Sequence, residues 1–432
     1  MKVEVIGAGL AGCEAAWALA NRGFQVSLYE MKPKKRTPAH RYDGLAELVC
    51  SNSLKAARVG SAAGMLKAEM RLLGSLILEA ADNTAVPAGG ALAVNREKFS
   101  DYITGKIRSH PNITLISEEV TQFPEKNTVI ATGPLTSEGM AAAIVERCGD
   151  TLSFYDAAAP IVTFDSINMS RAFFATRYGK GDADYINCPM NKEEYERFYE
   201  ALVTAETVPL KEFEDLTVYE GCMPVEVLAK RGAESVRYGC MKPVGLTDPG
   251  TGHRPWAAVQ LRKENTEGSL YNIVGFQTNL KFPEQKRVFG LIPGLENAEY
   301  ARYGVMHRNT FLNSPLLLDR HFMLKDSRNV FFAGQMTGVE GYTESAMSGI
   351  IAGISLARRL SGEEELMLPD TTMCGGLCRH VSTENKDFQP MGANMGMLPP
   401  LAEHIRNKQE RYEAIAQRGL NDLRNVLKIQ MR

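Results

Sequence analysis

The chain has 432 residues, 44% hydrophobic and 23% charged, which is an ordinary balance for a soluble globular protein with room for two domains. Its net charge of −2 excludes nucleic-acid binding through overall charge, so any RNA contact must come from local patches. Eight scattered cysteines predict reduced thiols and a cytoplasmic location. The apolar N-terminal stretch holds three glycines and Glu14, so we predict neither a signal peptide nor a membrane span.

The first 30 residues predict a strand, a helix and a second strand. The strand covers Lys2 to Ile6, the helix Leu10 to Asn21, and the second strand Gln25 to Glu30. The turn between the first strand and the helix has the glycine spacing G-x-G-x-x-G. This spacing within a βαβ unit of about 30 residues is typical of a Rossmann dinucleotide-binding fold.

Each part of that turn has a predicted role toward a bound nucleotide. Gly7 permits the tight turn, Gly9 lets the backbone approach a pyrophosphate, and Gly12 lets the helix and strand pack closely. The N-terminus of the helix attracts phosphates, and Glu30 can accept hydrogen bonds from ribose hydroxyls. The predicted cofactor contacts in this region are Gly7, Ala8, Gly9, Leu10, Ala11, Gly12 and Glu30.

The pattern then runs through a basic, loop-like stretch over 31–60 to two further helices. One is predicted over Gly64 to Leu73, and the other follows Asn95 as its N-cap and runs to Ser109. Strands are predicted over 113–116 and 128–131. The second of these ends in a Thr-Gly-Pro turn, and we predict that Gly133 of this turn contacts the cofactor.

From about Thr151 to Pro315 the βαβ rhythm is lost. Asn191 and Glu194 form a capping-box signature for a helix ending near Ala205. Antiparallel strands are predicted over 256–263 and 270–278, and a final helix over 401–428. We predict four segments: a cofactor-binding domain over 1–150, an inserted substrate- and RNA-facing domain over 151–315, the second part of the cofactor domain over 316–362, and a C-terminal loop and helix over 363–432.

A second glycine-rich segment, residues 333–346, follows an apolar strand and leads into an apolar helix. Two such segments at opposite ends of a chain favour FAD, held along its whole length, over NAD. The predicted fold is therefore α/β, with an FAD-binding Rossmann-like domain and an inserted α+β domain. The predicted contacts to the flavin end are Gly334, Gln335, Gly341, Tyr342, Thr343 and Ser345.

These motifs resemble the family of folate- and FAD-dependent tRNA (uracil-5-)-methyltransferases, TrmFO, over essentially the whole chain. The resemblance lies in the first turn, in the late glycine-rich segment, and in segments 37–40, 48–53, 220–226 and 388–391. It implies transfer of a one-carbon unit from 5,10-methylenetetrahydrofolate to C5 of the uridine at position 54 in the T-loop of tRNA. Reduced FAD supplies the electrons, and NAD(P)H reduces it.

The resemblance also implies two functional cysteines, Cys222 and Cys50. Uracil C5 becomes nucleophilic when a thiolate adds to C6, and the C5 proton must then be removed. Cys222 precedes Pro224, which suits the first turn of a helix, where a thiol has a lowered pKa. We expect Cys222 to attack C6 and Cys50 to deprotonate C5 or protect the reactive one-carbon group, although the two roles could be exchanged.

Several questions stay open at the level of the sequence. The same chemistry on ribosomal RNA, a small-molecule flavin oxidoreductase, and an RNA-binding flavoprotein without turnover are the alternatives, and the oligomeric state is undetermined. Trp256 and Tyr342 are candidates for stacking on the pterin. Cys374, Cys378 and His380 lack a second ligand pair, so we predict no metal site. Candidate phosphate contacts are Lys230, Arg231, Arg237, Lys242, Arg254, Arg262, Lys263, Lys286 and Arg287.

Overall fold

The computed structural model describes residues 2–37, 39–149, 152–157, 159–179, 183–208, 223–265, 267–327, 330–385 and 388–430. The strands of these residues are, in chain order, β1 (Lys2–Ile6), β2 (Gln25–Glu30), β3 (Ser53–Ala56), β4 (Ala85–Val86), β5 (Ala91–Val94), β6 (Ile113–Ser117), β7 (Thr128–Ile130), β8 (Leu152–Ala157), β9 (Ile161–Thr163), β10 (Phe173–Ala175), β11 (Tyr185–Met190), β12 (Ala257–Lys263), β13 (Leu270–Ile273), β14 (Tyr300–Arg302), β15 (Met306–Phe311) and β16 (Val330–Phe332). The helices are α1 (Leu10–Ala20), α2 (Ala62–Leu72), α3 (Leu76–Asn83), α4 (Arg96–Ser109), α5 (Glu138–Cys148), α6 (Lys192–Val203), α7 (Val225–Lys230), α8 (Ala233–Tyr238), α9 (Phe282–Phe289), α10 (Ser314–Leu317), α11 (Tyr342–Ser361), α12 (Met373–Ser382) and α13 (Lys408–Gln430).

Five parallel strands form the sheet that carries the predicted nucleotide motif, in the order β16-β7-β1-β2-β6. The last strand returns to this sheet from far along the chain, with Val330 paired to Thr128. Parallel strands point their carboxyl ends toward the same edge, which is where ligands bind in open α/β sheets. The turns after β1, β7 and β16 therefore meet at one edge although more than 300 residues separate the first from the last.

Helices α1 and α11 pack closely enough for backbone contact. A Cβ atom added at Gly349 would overlap the backbone of Ala11, and one added at Gly353 would lie 2.8 Å from the carbonyl oxygen of Ala15. Both partners on α1 are alanines, so small residues on each side allow the approach. This contact fixes the N-termini of the two helices beside each other, next to the two glycine-rich turns.

In the first 150 residues, the predicted helices that begin at a capping side chain are confirmed, whereas several other elements were not predicted. The Asn95 side chain accepts from Lys98 N at the start of α4, and Ser61 caps α2 in the same way through Gly64 N. Helix α3 and the small antiparallel sheet β3-β5-β4 lie in stretches that we predicted as loop or left unassigned.

The second large sheet is antiparallel, in the order β10-β11-β12-β13-β9-β14. The predicted pairing of the strands around 260 and 272 is confirmed, with Leu261 opposite Ile273. The second strand ends at Ile273 instead of Thr278 because Gly275, with φ of +79°, turns the chain. Helices α6 and α9 pack on this sheet, with Phe198, Phe276 and Phe289 in its core. The two-stranded pair of β8 and β15 stands outside both large sheets.

The C-terminal helix packs against α2 and against the segment before α12. Ile415 and Leu423 are buried, and a Cβ at Gly419 would meet the carbonyl oxygen of Thr371 at 2.6 Å. The helix begins at Lys408 and not at 401, since the Asn407 side chain accepts from Gln409 N and stops the helix there. No helix among the described residues is long and apolar enough to cross a membrane.

Candidate active site

A cleft runs along the carboxyl edge of the parallel sheet, between the turns that follow β1, β2, β7 and β16. It contains about 1050 Å³ of empty space when the part open to solvent is included, which is the size of a cofactor site. We call it the first cleft. Ten of the predicted cofactor residues line it: Gly7, Gly9, Leu10, Ala11, Glu30, Gly133, Gly334, Gln335, Tyr342 and Ser345.

The other four predicted cofactor residues, Ala8, Gly12, Gly341 and Thr343, are not among the lining residues of the first cleft. Ala8 is buried, and a Cβ at Gly12 would overlap the carbonyl oxygen of Gly7. The Thr343 hydroxyl donates to the buried Glu344 at 2.9 Å, and a side chain at Gly341 would collide with the same carboxylate. These four positions therefore stabilise the glycine-rich turns without lining the cleft.

Among the three glycines of the first turn, Gly9 is the one that neither packing nor backbone conformation requires. A Cβ added there meets no atom within 4 Å and would extend into the first cleft. Gly7, in contrast, has φ of +95° and lies against the backbone of Ala131 at the end of β7. Since packing does not require a glycine at position 9, we attribute its presence to the close approach of a ligand.

The Glu30 carboxylate lies where the Rossmann pattern places an acidic residue. It accepts from Ala8 N at 2.9 Å and from Lys32 N at 3.0 Å, so the end of β2 is tied to the first glycine-rich turn. Lys32 in turn donates to the carbonyl oxygens of Tyr42 and Gly44 at 3.0 and 2.6 Å. These bonds hold Glu30 at the wall of the cleft with lone pairs left for ribose hydroxyls.

Tyr342 connects the late glycine-rich segment to the loop that carries Cys50. Its hydroxyl accepts from Cys50 N at 2.6 Å and from Ser51 N at 3.1 Å, across nearly 300 residues of sequence. Burial raises the pKa of this hydroxyl well above its ordinary value, so it stays neutral. Cys50 is thereby held beside the first cleft, whose wall includes the neighbouring Val49.

Two arginines complete the support of the Cys50 loop. Arg96 donates to the carbonyl oxygens of Leu48 and Cys50 and pairs with Glu264 at 2.6 Å. Burial alone would lower the pKa of Arg96, but Glu264 outweighs this effect and the pKa is raised. Arg262 donates to Ser51 and to Asn52 at 2.7 and 3.0 Å. The Cys50 loop is therefore held both by α4 and by β12 of the antiparallel sheet.

We expect Tyr342→Phe to loosen this loop without altering the fold. The change leaves the amides of Cys50 and Ser51 without their acceptor, which costs about 1–3 kcal/mol. Urea unfolding should show the loss, and iodoacetamide should label Cys50 faster, as measured by peptide mass. Tyr412→Phe is the matched control, because no hydrogen bond of its hydroxyl occurs in the described part of the chain. Equal labelling of Cys50 in both variants would show that Tyr342 does not hold the loop.

Cys222 lies outside the described residues. The chain is described again from Met223, and α7 begins at Val225 directly after Pro224, as the proline predicted. The helix ends at Lys230, with Arg231 as its C-cap. Its first turn contains Glu226, whose buried carboxylate accepts from Thr278 and from Asn279 N.

Cys13, Cys374 and Cys378 are buried core residues. Burial raises the pKa of each thiol, for Cys378 to about 12, so none is a nucleophile at neutral pH. Cys374 and Cys378 lie one turn apart on α12 beneath Glu69, which accepts from the amides of Met373 and Cys374. Within the described ranges, no group of three or more His, Cys, Asp or Glu side chains could hold a metal ion.

The predicted pterin and RNA contacts lie in different places. Trp256 precedes β12, whereas Lys263 at the other end of that strand accepts from Asn52 beside Cys50. A strand of seven residues spans roughly 20 Å, so Trp256 is too far from the Cys50 loop to stack on a pterin bound there. Arg262, a predicted phosphate contact, is only 7% exposed and binds the Cys50 loop instead.

Sequence reasoning did not find the support of the Cys50 loop. Arg96 reaches Glu264 across 168 positions, and nothing in its local pattern distinguishes it from a surface arginine at the start of a helix. The pair of Lys55 and the fully buried Glu344, at 2.8 Å, was also missed. The one local signal that could have suggested this pair was the glutamate itself, which directly follows Tyr-Thr at the start of an apolar helix.

Comparison with known proteins gives three findings. A family model described as "Glucose inhibited division protein A" matches residues 2–364. A Bacillus subtilis protein named methylenetetrahydrofolate–tRNA-(uracil-5-)-methyltransferase TrmFO is 57% identical over 428 residues, which are 99% of this chain and 98% of that protein. A Halalkalibacterium halodurans protein of the same name is 56% identical over the same shares of both chains.

Among solved structures, that of Aquifex aeolicus GidA superposes with a TM-score of 0.71 over 98% of this chain and 73% of that one. The sequence identity is 18%, so this likeness concerns the fold. The predicted α/β fold class, a Rossmann-like cofactor domain with an additional domain, is confirmed.

Proposed function

The chain belongs to the TrmFO family of methylenetetrahydrofolate–tRNA-(uracil-5-)-methyltransferases, and we propose that it methylates C5 of a uridine in the T-loop of tRNA. The observation that carries the proposal is identity of 56–58% over nearly the full length of both this chain and its relatives. The carbon comes from 5,10-methylenetetrahydrofolate, and FAD, reduced by NAD(P)H, is the cofactor. We place the enzyme in the cytoplasm, where tRNA is found; no cysteine of the described ranges forms a disulfide.

The first cleft fits FAD by its shape and by the chemistry of its walls. Gly9 leaves room for a pyrophosphate at the N-terminus of α1, and Glu30 offers acceptors to a ribose. We assign the flavin end to Gly334, Gln335, Tyr342 and Ser345 at the N-terminus of α11. Bound there, FAD would supply the electrons that convert the transferred methylene group into a methyl group.

We assign the remaining chemistry to two cysteines. The Cys222 thiolate adds to C6 of the uracil, which moves an electron pair onto O4 as an enolate and makes C5 nucleophilic. C5 then bonds to the methylene carbon of the donor, a base removes the C5 proton, and the bond from that carbon to its nitrogen carrier breaks, with the electron pair leaving on nitrogen. The exocyclic methylene that remains would take a hydride equivalent, whose two electrons bound reduced FAD would supply, and the carbon–sulfur bond breaks so that the C5–C6 double bond of the uracil is restored. Cys50 is our candidate for that base, because Tyr342, Arg96 and Arg262 hold its loop beside the first cleft.

We propose that tRNA also contacts a cleft at the far end of β12, which we call the Trp256 cleft. The Arg237 guanidinium lies 3.6 Å from the centroid of the Trp256 ring, and Lys192 lies 5.7 Å from it. Arg254 in the same cleft is exposed to solvent. With Arg171, four basic residues face two acidic ones, Glu194 and Asp248, so the cleft attracts phosphates. RNA is long enough to reach both this cleft and Cys50, and segment 151–315 would serve as the RNA-facing domain.

The decisive experiment uses methylenetetrahydrofolate labelled in its methylene carbon, with tRNA, NADPH and the FAD-loaded protein. We expect label in 5-methyluridine of the T-loop, located by nuclease digestion and mass spectrometry. A tRNA whose target uridine is replaced by cytidine is the control. Label in ribosomal RNA but not in tRNA would move the activity to the alternative substrate, and NADPH consumption without label in any RNA would identify an oxidoreductase.

A further inference from the structure

A second cleft adjoins the first on the other side of the segment 39–49. It lies between α4 and the antiparallel sheet and contains about 1830 Å³ of empty space, including the part open to solvent. Glu47 lines both clefts, and Leu48 and Arg96 bring the second cleft to the Cys50 loop. A molecule in the second cleft can therefore reach the edge of the first cleft beside the Cys50 loop.

Arg302 is the most unusual group in the second cleft. It ends β14, where the pairing with β9 shifts register between Tyr300 and Arg302, and it is partly buried. In the described ranges, no hydrogen-bond acceptor or carboxylate pairs with its guanidinium group. Burial lowers the pKa of Arg302, and the nearby Arg96 lowers it further. Glu264, which pairs with Arg96, offsets only part of this effect, since the pKa of Arg302 remains lowered. A desolvated guanidinium that makes no hydrogen bond or ion pair with the described residues is a ready site for an anion.

Three aromatic rings stack along the same cleft. Tyr303 lies between Phe282 and Tyr300, with ring centroids 4.5 and 4.8 Å apart and interplanar angles of 18° and 5°. Both faces of Tyr303 are thus covered, and Tyr300 packs against the core of the antiparallel sheet, so Phe282 is the end of the stack that is open to a ligand. Phe282 is 48% exposed, which is unusual for a phenylalanine, and it would extend the stack to a flat ring.

The charge of the second cleft separates the possible ligands. Three arginines, Arg41, Arg96 and Arg302, face four glutamates, Glu47, Glu97, Glu264 and Glu267. Such a lining repels a polyphosphate chain, in contrast to the Trp256 cleft with four basic and two acidic residues. It suits a ligand with a flat ring and few anionic groups, one of which pairs with Arg302.

We propose that the second cleft binds the aminobenzoyl-glutamate arm of the folate donor. A carboxylate of the arm pairs with Arg302, its ring packs on the outer face of the aromatic stack, and the pterin points past Glu47 into the first cleft. This inference rests on the proposed function, since it takes the folate as co-substrate. It makes Arg302 and Phe282 binding residues that determine the affinity for the donor.

The test measures the binding of tetrahydrofolate to the FAD-loaded protein by calorimetry, independently of turnover. We expect Arg302→Gln to weaken binding by about 10- to 100-fold, the worth of one charge-assisted hydrogen bond. The variant should keep its FAD and unfold at the same or a higher temperature, because the lost charge pairs with none of the described residues. In turnover, KM for the donor should rise while kcat at saturation stays close to wild type.

Two further variants and one fragment make the result specific. Phe282→Ala, at an exposed position, should also weaken folate binding, whereas Arg254→Gln in the Trp256 cleft should not. The fragment p-aminobenzoyl-glutamate should compete with tetrahydrofolate for the wild type, and neutral p-aminobenzamide should not. Unchanged folate binding in both Arg302→Gln and Phe282→Ala would overturn the proposal, and a raised KM for tRNA alone would assign the cleft to RNA. A protein that binds folate through Arg302 but does not label tRNA would refute the proposed function and keep this site.

Discussion

Replacing Cys222 by alanine should abolish methylation while the purified protein stays yellow with bound FAD. The substitution leaves the described residues that line the first cleft unchanged. Without the thiolate, C5 of the uracil does not become nucleophilic, and removal of a catalytic nucleophile typically costs at least about 10⁴-fold in rate. The measurement is the rate of label transfer to tRNA in single turnover, together with the absorbance of the flavin.

The control for this variant is Cys148→Ala. Cys148 is the last residue of α5 and lines neither the first cleft nor the second cleft. Burial raises the pKa of its thiol to about 11, so the thiol is unreactive at neutral pH. It should methylate tRNA at the wild-type rate. Activity in Cys222→Ala comparable with that control would remove Cys222 from the mechanism.

Transfer RNA that carries 5-fluorouridine at the target separates the roles of the two cysteines. Fluorine at C5 cannot leave as a proton does, so the wild-type protein should accumulate a covalent RNA adduct. We expect no adduct in Cys222→Ala, and we expect Cys50→Ala to form the adduct without releasing product from normal tRNA. The reverse pattern would exchange the roles that we assign to Cys222 and Cys50.

The parts of the fold that were predictable are those with a local cause. The strand pattern of 2–6 and 25–30, the capping box of Asn191 and Glu194, and the glycine spacing of the first turn each depend on residues close in sequence. The start of α13 at Lys408 was missed because the cap at Asn407 competes with a hydrophobic pattern that extends further toward the N-terminus.

The contacts that hold the Cys50 loop were not predictable because they join residues that are far apart in the sequence. Arg96, Arg262 and Tyr342 converge on the Cys50 loop from α4, β12 and α11, and each contact spans between 46 and 292 positions. Arg302 has no local signal either, since its exceptional feature is that none of the described residues pairs with it in the folded chain. Such groups become visible only when the two sheets are in place, which is why the second cleft has no counterpart in the sequence pattern.

Replacing Gly12 by alanine should destabilise the protein, whereas replacing Gly9 by alanine should mainly weaken the binding of FAD. A Cβ at Gly12 would overlap the Gly7 carbonyl, so the turn must move, and we expect the FAD-free protein to lose about 1–3 kcal/mol of stability. A Cβ at Gly9 meets no protein atom within 4 Å, so the FAD-free protein should change by less than about 1 kcal/mol, the scale of an altered N-cap. Urea unfolding of the FAD-free proteins measures both effects.

Binding of FAD then completes the distinction between the two glycines. Gly9→Ala places a methyl group where we expect the pyrophosphate, and a steric conflict of about 1–3 kcal/mol weakens binding by about 5- to 150-fold. Gly105→Ala is the matched control: it lies within α4 with open space around it, so it should bind FAD normally and gain about 0.5–1 kcal/mol of stability. Fluorescence quenching of free FAD gives the dissociation constants. If Gly9→Ala binds FAD as tightly as Gly105→Ala, the pyrophosphate does not lie on the first turn, and the orientation of FAD that we assign to the first cleft is wrong.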